Sequence, residues 1–197
     1  MKVHIAGCGV VGFWLTVGLS RIPEHRELVC WDDDDLQGGF GRLRLPHAEA
    51  ETKKIDLLRG FLSMAMGADQ LPTFHANKFT GLKELNKGDL VVDCTDMNLE
   101  AKKKLYATIR RKEATVLRVS YDGKASTILV SSGLPFMGAK GGYENIPSLA
   151  LSFAAGGVGA EIVTRYLKNP IEHFEFVASL GDIIPLKEEN DVQSRDH

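Results

Sequence analysis

Short apolar runs alternate along this chain with longer segments whose apolar residues recur every three or four positions, the pattern of strands joined by helices. Val3-His4-Ile5-Ala6 predicts a strand, and Val10 to Ser20 a helix with Val11, Leu15, Gly18 and Leu19 on one stripe. Pro23 follows that helix and disfavours helical geometry in the residue before it. Glu27 to Trp31 predicts a second, buried strand. A second helix is expected from Glu49 to Met66, where Ile55, Leu58, Leu62 and Ala65 share a stripe that Leu57 and Phe61 widen. Leu71 to Asn77 reads as a short strand weakened by Pro72, and Leu90-Val91-Val92-Asp93 as a buried one meeting a polar edge. Asn98 is placed to cap a helix from Leu99 to Lys112, with Leu105 and Ile109 inside and a solvated face of Lys102, Lys103, Lys104, Arg110, Arg111 and Lys112. Thr115 to Ser120 and Ser126 to Val130 predict two strands with a hairpin turn at Tyr121-Asp122-Gly123-Lys124. A helix from Ser148 to Leu167 and a strand from His173 to Ala178 complete the pattern.

Strands and helices in this order predict an α/β, Rossmann-like, doubly wound and mostly parallel sheet, with antiparallel strands in the C-terminal half. At 197 residues, with no repeats and no linker composition, one domain over 1–186 is expected, followed by a charged, flexible tail over 187–197. Gly133 to Gly142, with four glycines and a proline, reads as a mobile loop or lid.

The 44% hydrophobic and 25% charged content is that of a water-soluble globular protein, and a net charge of −2 gives no basic field for nucleic acid. Met1-Lys2 leads directly into a strand, not into a signal peptide, and the uncharged stretch 145–160 is too short and glycine-rich to span a bilayer. Cys8, Cys30 and Cys94 lie near strand ends, an odd set without paired spacing, so neither a disulfide framework nor a structural zinc cage is expected. A cytoplasmic setting follows from these readings.

The first candidate chemistry is the turn Gly7-x-Gly9-x-x-Gly12 between strand and helix. In a nucleotide-binding βαβ unit the first glycine permits the turn, the second admits a phosphate to the backbone, and the third allows close helix packing. The helix start then offers free N–H groups to the anion. Asp32 stands 20 residues after Gly12, near the spacing at which a carboxylate meets a ribose hydroxyl. Beyond Asp32-Asp33-Asp34-Asp35, the loop Leu36 to Pro46 carries Arg42 and Arg44, either a phosphate-facing candidate or a solvated arginine. Lys53 and Lys54 fall in early turns of the second helix, where a cation opposes the helix dipole. Taken alone, the opening unit serves NAD, FAD or ATP equally.

Four separated features now share one order: the glycine turn, the acidic end of the second strand, Lys54 opening an amphipathic helix, and Val91-Val92-Asp93-Cys94-Thr95-Asp96. In this the chain resembles the ThiF/MoeB/HesA family, which shares its adenylating fold with ubiquitin-activating enzymes. The resemblance runs from Met1 to Gly123 and again over the small-residue helix after Pro147. It implies ATP and magnesium as cofactors. It also implies attack of a peptide or ubiquitin-like (sulfur-carrier) C-terminal carboxylate on the α-phosphate, and a homodimer. By position Asp32 resembles the ribose ligand, Asp34 the second acid of the Asp-x-Asp, Lys54 the triphosphate lysine and Asp96 the magnesium-linked aspartate. Arg42 or Arg44 resembles the family arginine, with a gap in the spacing for either.

The chain departs from the family pattern in several places. Phe40 stands near the position of a usual Asn, Met97 follows Asp96 where Asn is usual, and the two Cys-x-x-Cys pairs of zinc-bearing members are absent. With no cysteine after Cys94, the resemblance implies adenylation without a thioester step of its own. Two other readings remain open at this point: an NAD-dependent oxidoreductase, and a non-catalytic docking or dimerisation module.

Overall fold

Four consecutive buried residues make β1 (Val3–Ala6) an interior strand, since only a strand covered on both faces hides every side chain. The computed structural model describes residues 1–22, 27–35, 53–66, 71–81, 84–123, 126–133 and 149–179. After β1 follow α1 (Val10–Ser20), β2 (Leu28–Trp31), α2 (Lys54–Met66), β3 (Thr73–His75), β4 (Leu90–Asp93) and α3 (Leu99–Arg111). Then come β5 (Thr115–Asp122), β6 (Thr127–Ser132), α4 (Leu149–Lys168) and β7 (Glu175–Ser179). The strands form one sheet in the order β3-β2-β1-β4-β5-β6-β7. Pairing is parallel from β3 through β5 and antiparallel from β5 through β7, the mixed doubly wound sheet expected from the sequence.

Alternation along the strands sorts the core into two layers. Val3, Ile5, Leu28, Cys30, Leu90, Val92, Leu117 and Val119 face α1, α2 and α4. On the opposite face Ala6, Val29, Trp31, Val91 and Val116 pack on Leu105, Tyr106 and Ile109 of α3. The small residues of α4 are used within the chain. A Cβ on Gly156 would lie 2.5 Å from the Trp14 Cβ, and one on Gly159 would lie 2.7 Å from Val119 Cγ1 and 2.8 Å from Leu15 Cδ1. Burial of the facing side chains offsets the roughly 1 kcal/mol that each helical glycine costs.

Several boundaries differ from the sequence reading. α2 begins at Lys54, because Lys53 pairs in an isolated antiparallel bridge with Asp35 and is drawn out of the helix; residues 49–52 lie outside the described set. β3 keeps only Thr73–His75, the part that pairs with Val29–Trp31. Tyr121 and Asp122 belong to β5, not to the hairpin turn, because antiparallel pairing with Ile128 and Thr127 extends that far. β7 starts at Glu175, after Phe174 has bonded to the Ser132 hydroxyl. The loop bearing Arg42 and Arg44, the glycine-rich segment after Gly133 and the tail over 187–197 also lie outside the described residues.

Candidate functional site

β1 is flanked by β2 and β4, and the three strands end level: Ala6 is in register with Trp31 on one side and Asp93 on the other. The chain runs from β1 to β2 and β3 in one direction, and to β4 and β5 in the other. The crevice at such a reversal, beyond the carboxyl ends of the strands, is where open α/β sheets bind ligands. The glycine turn leaves the sheet there. It is stitched to both neighbours, by Gly7 N–H donating to the Trp31 carbonyl at 2.9 Å and Cys94 N–H donating to the Ala6 carbonyl at 2.8 Å.

The three glycines do different work. Gly7 has φ of +85°, a left-handed backbone that only glycine adopts cheaply, and its face lies against the backbone of Cys94 and Thr95. A Cβ on Gly12 would fall 1.9 Å from the Gly7 carbonyl oxygen, so the third glycine is required by the turn itself. Gly9 is the reverse: nothing lies within 4 Å of the position a Cβ would take. Gly9 is also the N-cap of α1 and supplies no side-chain cap. Among the described residues no acceptor meets the N–H groups of Gly9, Val10, Val11 and Gly12. An open glycine beside uncapped N–H groups, at the positive end of a helix dipole, fits an anionic group.

The acidic end of β2 is wired into this turn. Asp32 is buried, and its carboxylate accepts Cys8 N–H at 2.6 Å and Asp34 N–H at 2.9 Å. Burial raises its pKa above the ordinary carboxylate value, an effect that the two N–H bonds and the nearby Lys54 partly offset. The residue expected at the ribose thus also holds the shape of the glycine turn. Lys54 is only 6% exposed, unlike a lysine that points into water, and its Nζ meets Asp34 Oδ2 at 2.6 Å. Its backbone N–H donates to the Asp34 carbonyl at 3.2 Å, which fixes the start of α2 at the end of β2. Lys53 pairs with Asp35 at 2.6 Å.

On the other side of the turn, Asp96 is exposed and makes no hydrogen bond or ion pair among the described residues. Asp93, three residues earlier, is fully buried. The structure therefore brings Gly7, Gly9, Gly12, Asp32, Asp34, Lys54 and Asp96 to the same end of the sheet, leaving Arg42 and Arg44 outside what is described. Among the described residues no three His, Cys, Asp or Glu side chains gather to hold a metal ion. Asp96 and Asp34 are both exposed carboxylates at this end of the sheet, and magnesium that arrives on phosphates commonly takes one or two carboxylates from a protein.

One residue departs from the sequence reading. Lys102, expected on the solvated face of α3, is 3% exposed, and its Nζ reaches Asp93 Oδ2 at 2.7 Å, the Thr95 carbonyl at 2.7 Å and Thr95 Oγ1 at 3.1 Å. The tyrosine hydroxyl of Tyr106 donates to the same Asp93 oxygen. Burial lowers the lysine pKa while Asp93 raises it, and the net is below the ordinary lysine value. The signal lay in the spacing: Lys102 shares the i, i+3, i+4, i+7 stripe of Leu105, Tyr106 and Ile109. The cysteines behave as core residues. Cys8 and Cys30 are buried, Cys94 is half-buried, and burial pushes the Cys94 thiol well up; for Cys8 the contact with Cys30 and burial do so together.

No protein-family model and no curated protein sequence matches the chain. Solved structures do. E. coli MccB aligns with a TM-score of 0.67 at 15% identity, over 90% of this chain and 59% of that one. MccB bound to ATP gives 0.64 at 16% identity, over 87% and 57%. PaaA gives 0.62 at 15% identity, over 92% and 61%. MccB has also been crystallised with AMPCPP and MccA. The chain spans about three fifths of the length of these proteins. No helix among the described residues is long and apolar enough to cross a membrane. At these identities the likeness is one of fold: the chain shares the fold of MccB and PaaA.

Proposed function

We propose that the chain binds ATP with magnesium at the reversal point of its sheet and adenylates the C-terminal carboxylate of a peptide or small ubiquitin-like, sulfur-carrier-type protein. The observation that carries the reading is the open Gly9 with its uncapped N–H groups, flanked by buried Lys54 on one side and exposed Asp96 on the other. The glycine turn would receive phosphate oxygens, Lys54 would exchange its partner Asp34 for a phosphate, and Asp32 or Asp34 would meet the ribose. Bound magnesium would supply phosphate neutralisation, with Asp96 as its protein ligand. An oxygen of the incoming carboxylate attacks the α-phosphorus, the bond from that phosphorus to the bridging oxygen breaks, and pyrophosphate leaves. The nucleophile is already ionised at neutral pH, so the residues are asked for alignment and charge neutralisation and not for a general base. Arg42 or Arg44 is carried as the additional phosphate arginine, and a homodimer as the working assembly.

Calorimetric titration with ATP and Mg²⁺ tests the reading directly. Saturable binding is expected in the wild type and a loss of about tenfold or more in Lys54→Ala and in Asp96→Ala, on the scale of one charge-assisted contact. Absence of wild-type binding at millimolar ATP·Mg refutes it, and a thermal shift by NAD but not ATP turns the assignment toward an oxidoreductase.

A further inference from the structure

Asp93 and Lys102 form an ion pair with almost no exposure, at the end of the strand that leads to Asp96. Such pairs are poor devices for stability, because well-packed apolar replacements of similar volume are commonly as stable or more so. What distinguishes this one is where its bonds go. Asp93 Oδ1 accepts the Thr95 N–H at 2.9 Å and the Thr95 hydroxyl at 2.6 Å, while Lys102 Nζ donates to the Thr95 carbonyl and hydroxyl as well as to Asp93 Oδ2. The N–H, carbonyl and hydroxyl of Thr95 are thus all tied, through two side chains, to the first turn of α3. Tyr106 adds its hydroxyl to Asp93, and the Asn98 side chain caps the same helix through Ala101 N–H at 2.9 Å. The opposite side of the segment lies on the glycine turn, where a Cβ on Gly7 would come within 3.1 Å of Cys94 C and Thr95 Cα. Asp96, the next residue, is held by none of these bonds and faces solvent.

We propose that Lys102 is a positioning residue: with Asp93 and Tyr106 it clamps Thr95 against the glycine turn, so that the Asp96 carboxylate is presented at a fixed place beside the phosphate site. This rests on the ATP·Mg reading above. Lys102 touches no ligand itself; it acts on the backbone that carries Asp96. Its removal should therefore weaken what Asp96 does more than what the glycine turn does. Outer-shell partners of metal-binding carboxylates commonly set about 10–100-fold of metal affinity, which fixes the size of effect to look for.

The test compares wild type, Lys102→Met, Lys102→Arg and Tyr106→Phe in the full chain, each first shown to unfold cooperatively in urea. ATP is titrated by calorimetry with and without Mg²⁺. Lys102→Met is expected to keep Mg²⁺-free ATP binding within about twofold and to lose about tenfold or more of the Mg²⁺-dependent gain. Lys102→Arg, which keeps the charge and several donors, is expected to recover part of that gain. Amide hydrogen exchange without nucleotide should rise at Thr95 and Met97 in Lys102→Met while α1 keeps its protection. Should Lys102→Met not fold, Tyr106→Phe, which removes only one hydroxyl, carries the test with a smaller loss of the same Mg²⁺-dependent kind. A folded Lys102→Met with wild-type Mg²⁺ dependence overturns the positioning role and leaves the ATP reading intact. A wild type that binds no ATP under either condition overturns the ATP reading, and the positioning role with it.

Discussion

Gly9 and Gly12 stand three residues apart in one motif, yet their surroundings predict opposite outcomes for similar substitutions. Gly9 has φ of −60° and ψ of −169°, an extended N-cap geometry open to any residue, and no atom lies within 4 Å of its missing Cβ. Serine is a better N-cap than glycine by a few tenths of a kcal/mol, and it adds about 0.4–1 kcal/mol by restricting the unfolded chain. Gly9→Ser should therefore raise stability by about 0.5–1.5 kcal/mol. The same hydroxyl would accept from the α1 N–H groups that a phosphate needs, and its Cβ would fill the space of approach. ATP affinity should then fall by about tenfold or more, the value of one charge-assisted contact. Gly12→Ala places a methyl 1.9 Å from the Gly7 carbonyl oxygen, and relieving that contact means moving a turn anchored to two strands. Overpacking of this kind costs about 1–3 kcal/mol. Urea denaturation of both variants, paired with ATP calorimetry, separates the two effects. A Gly9→Ser protein that is more stable and binds ATP as well as wild type would refute the placement of the phosphate at this turn. A Gly12→Ala protein of wild-type stability would refute the packing argument.

Other expectations concern groups outside the phosphate turn. His4 is buried, accepts from Trp31 Nε1 at 3.2 Å and stands 3.4 Å from Asp89, and burial, outweighing Asp89, lowers its pKa below 6.5. The unfolded chain takes up the proton first, so stability from His4 is present above 6.5 and is lost as pH falls through the lower folded value. Urea midpoints from pH 7.5 down to about 5 should fall more steeply in wild type than in His4→Gln, and parallel slopes would contradict this. Asp32→Asn can still accept one of the two backbone N–H groups but must oppose the other with its amide, for a cost of about 1–3 kcal/mol by denaturation. Because the folded pKa of Asp32 lies above 3.8, its contribution has the opposite sign: it is present below 3.8 and lost as pH rises through the folded value, a slope Asp32→Asn should lack. In α4, Gly156→Ala puts a methyl 2.5 Å from Trp14 Cβ and 2.8 Å from the Leu15 nitrogen, and should cost about 1–3 kcal/mol. Gly157→Ala meets nothing within 4 Å and should instead gain up to about 1 kcal/mol of helix propensity. Equal shifts in the two melting curves would remove α1 as the partner of the glycine face.

What the sequence made legible was local. The βαβ opening could be read because turn chemistry and periodicity both act within a dozen residues, and α1 emerges over the same Val10–Ser20 that the pattern marked. The small residues of α4 announced close packing, but their partner depended on which helix the topology would bring alongside. Gly156 and Gly159 meet Trp14, Leu15 and Val119, residues far away in sequence. Lys102 shows the same limit in sharper form. In a run of three lysines, charge argues for solvent, while the helical stripe shared with Leu105, Tyr106 and Ile109 argues for the core. The decision lies in Asp93, nine positions earlier, whose buried carboxylate at the end of β4 needs a cation and finds Lys102. Read together, a carboxylate that closes an interior strand and a lysine on the inner stripe of the next helix are one feature, and neither is informative alone. The same logic applies to Asp34 and Lys54, where twenty residues separate an acid three positions past the end of β2 from the lysine that opens α2. In both cases a carboxylate at or just past a strand end meets a lysine in the opening turn of the next helix. One pair stands on each side of the glycine turn: Lys54 beside an acid that is largely exposed and able to give it up, Lys102 beside one that is not. That asymmetry in exposure is the physical reason to assign the exchangeable, phosphate-facing role to Lys54 and the fixed one to Lys102.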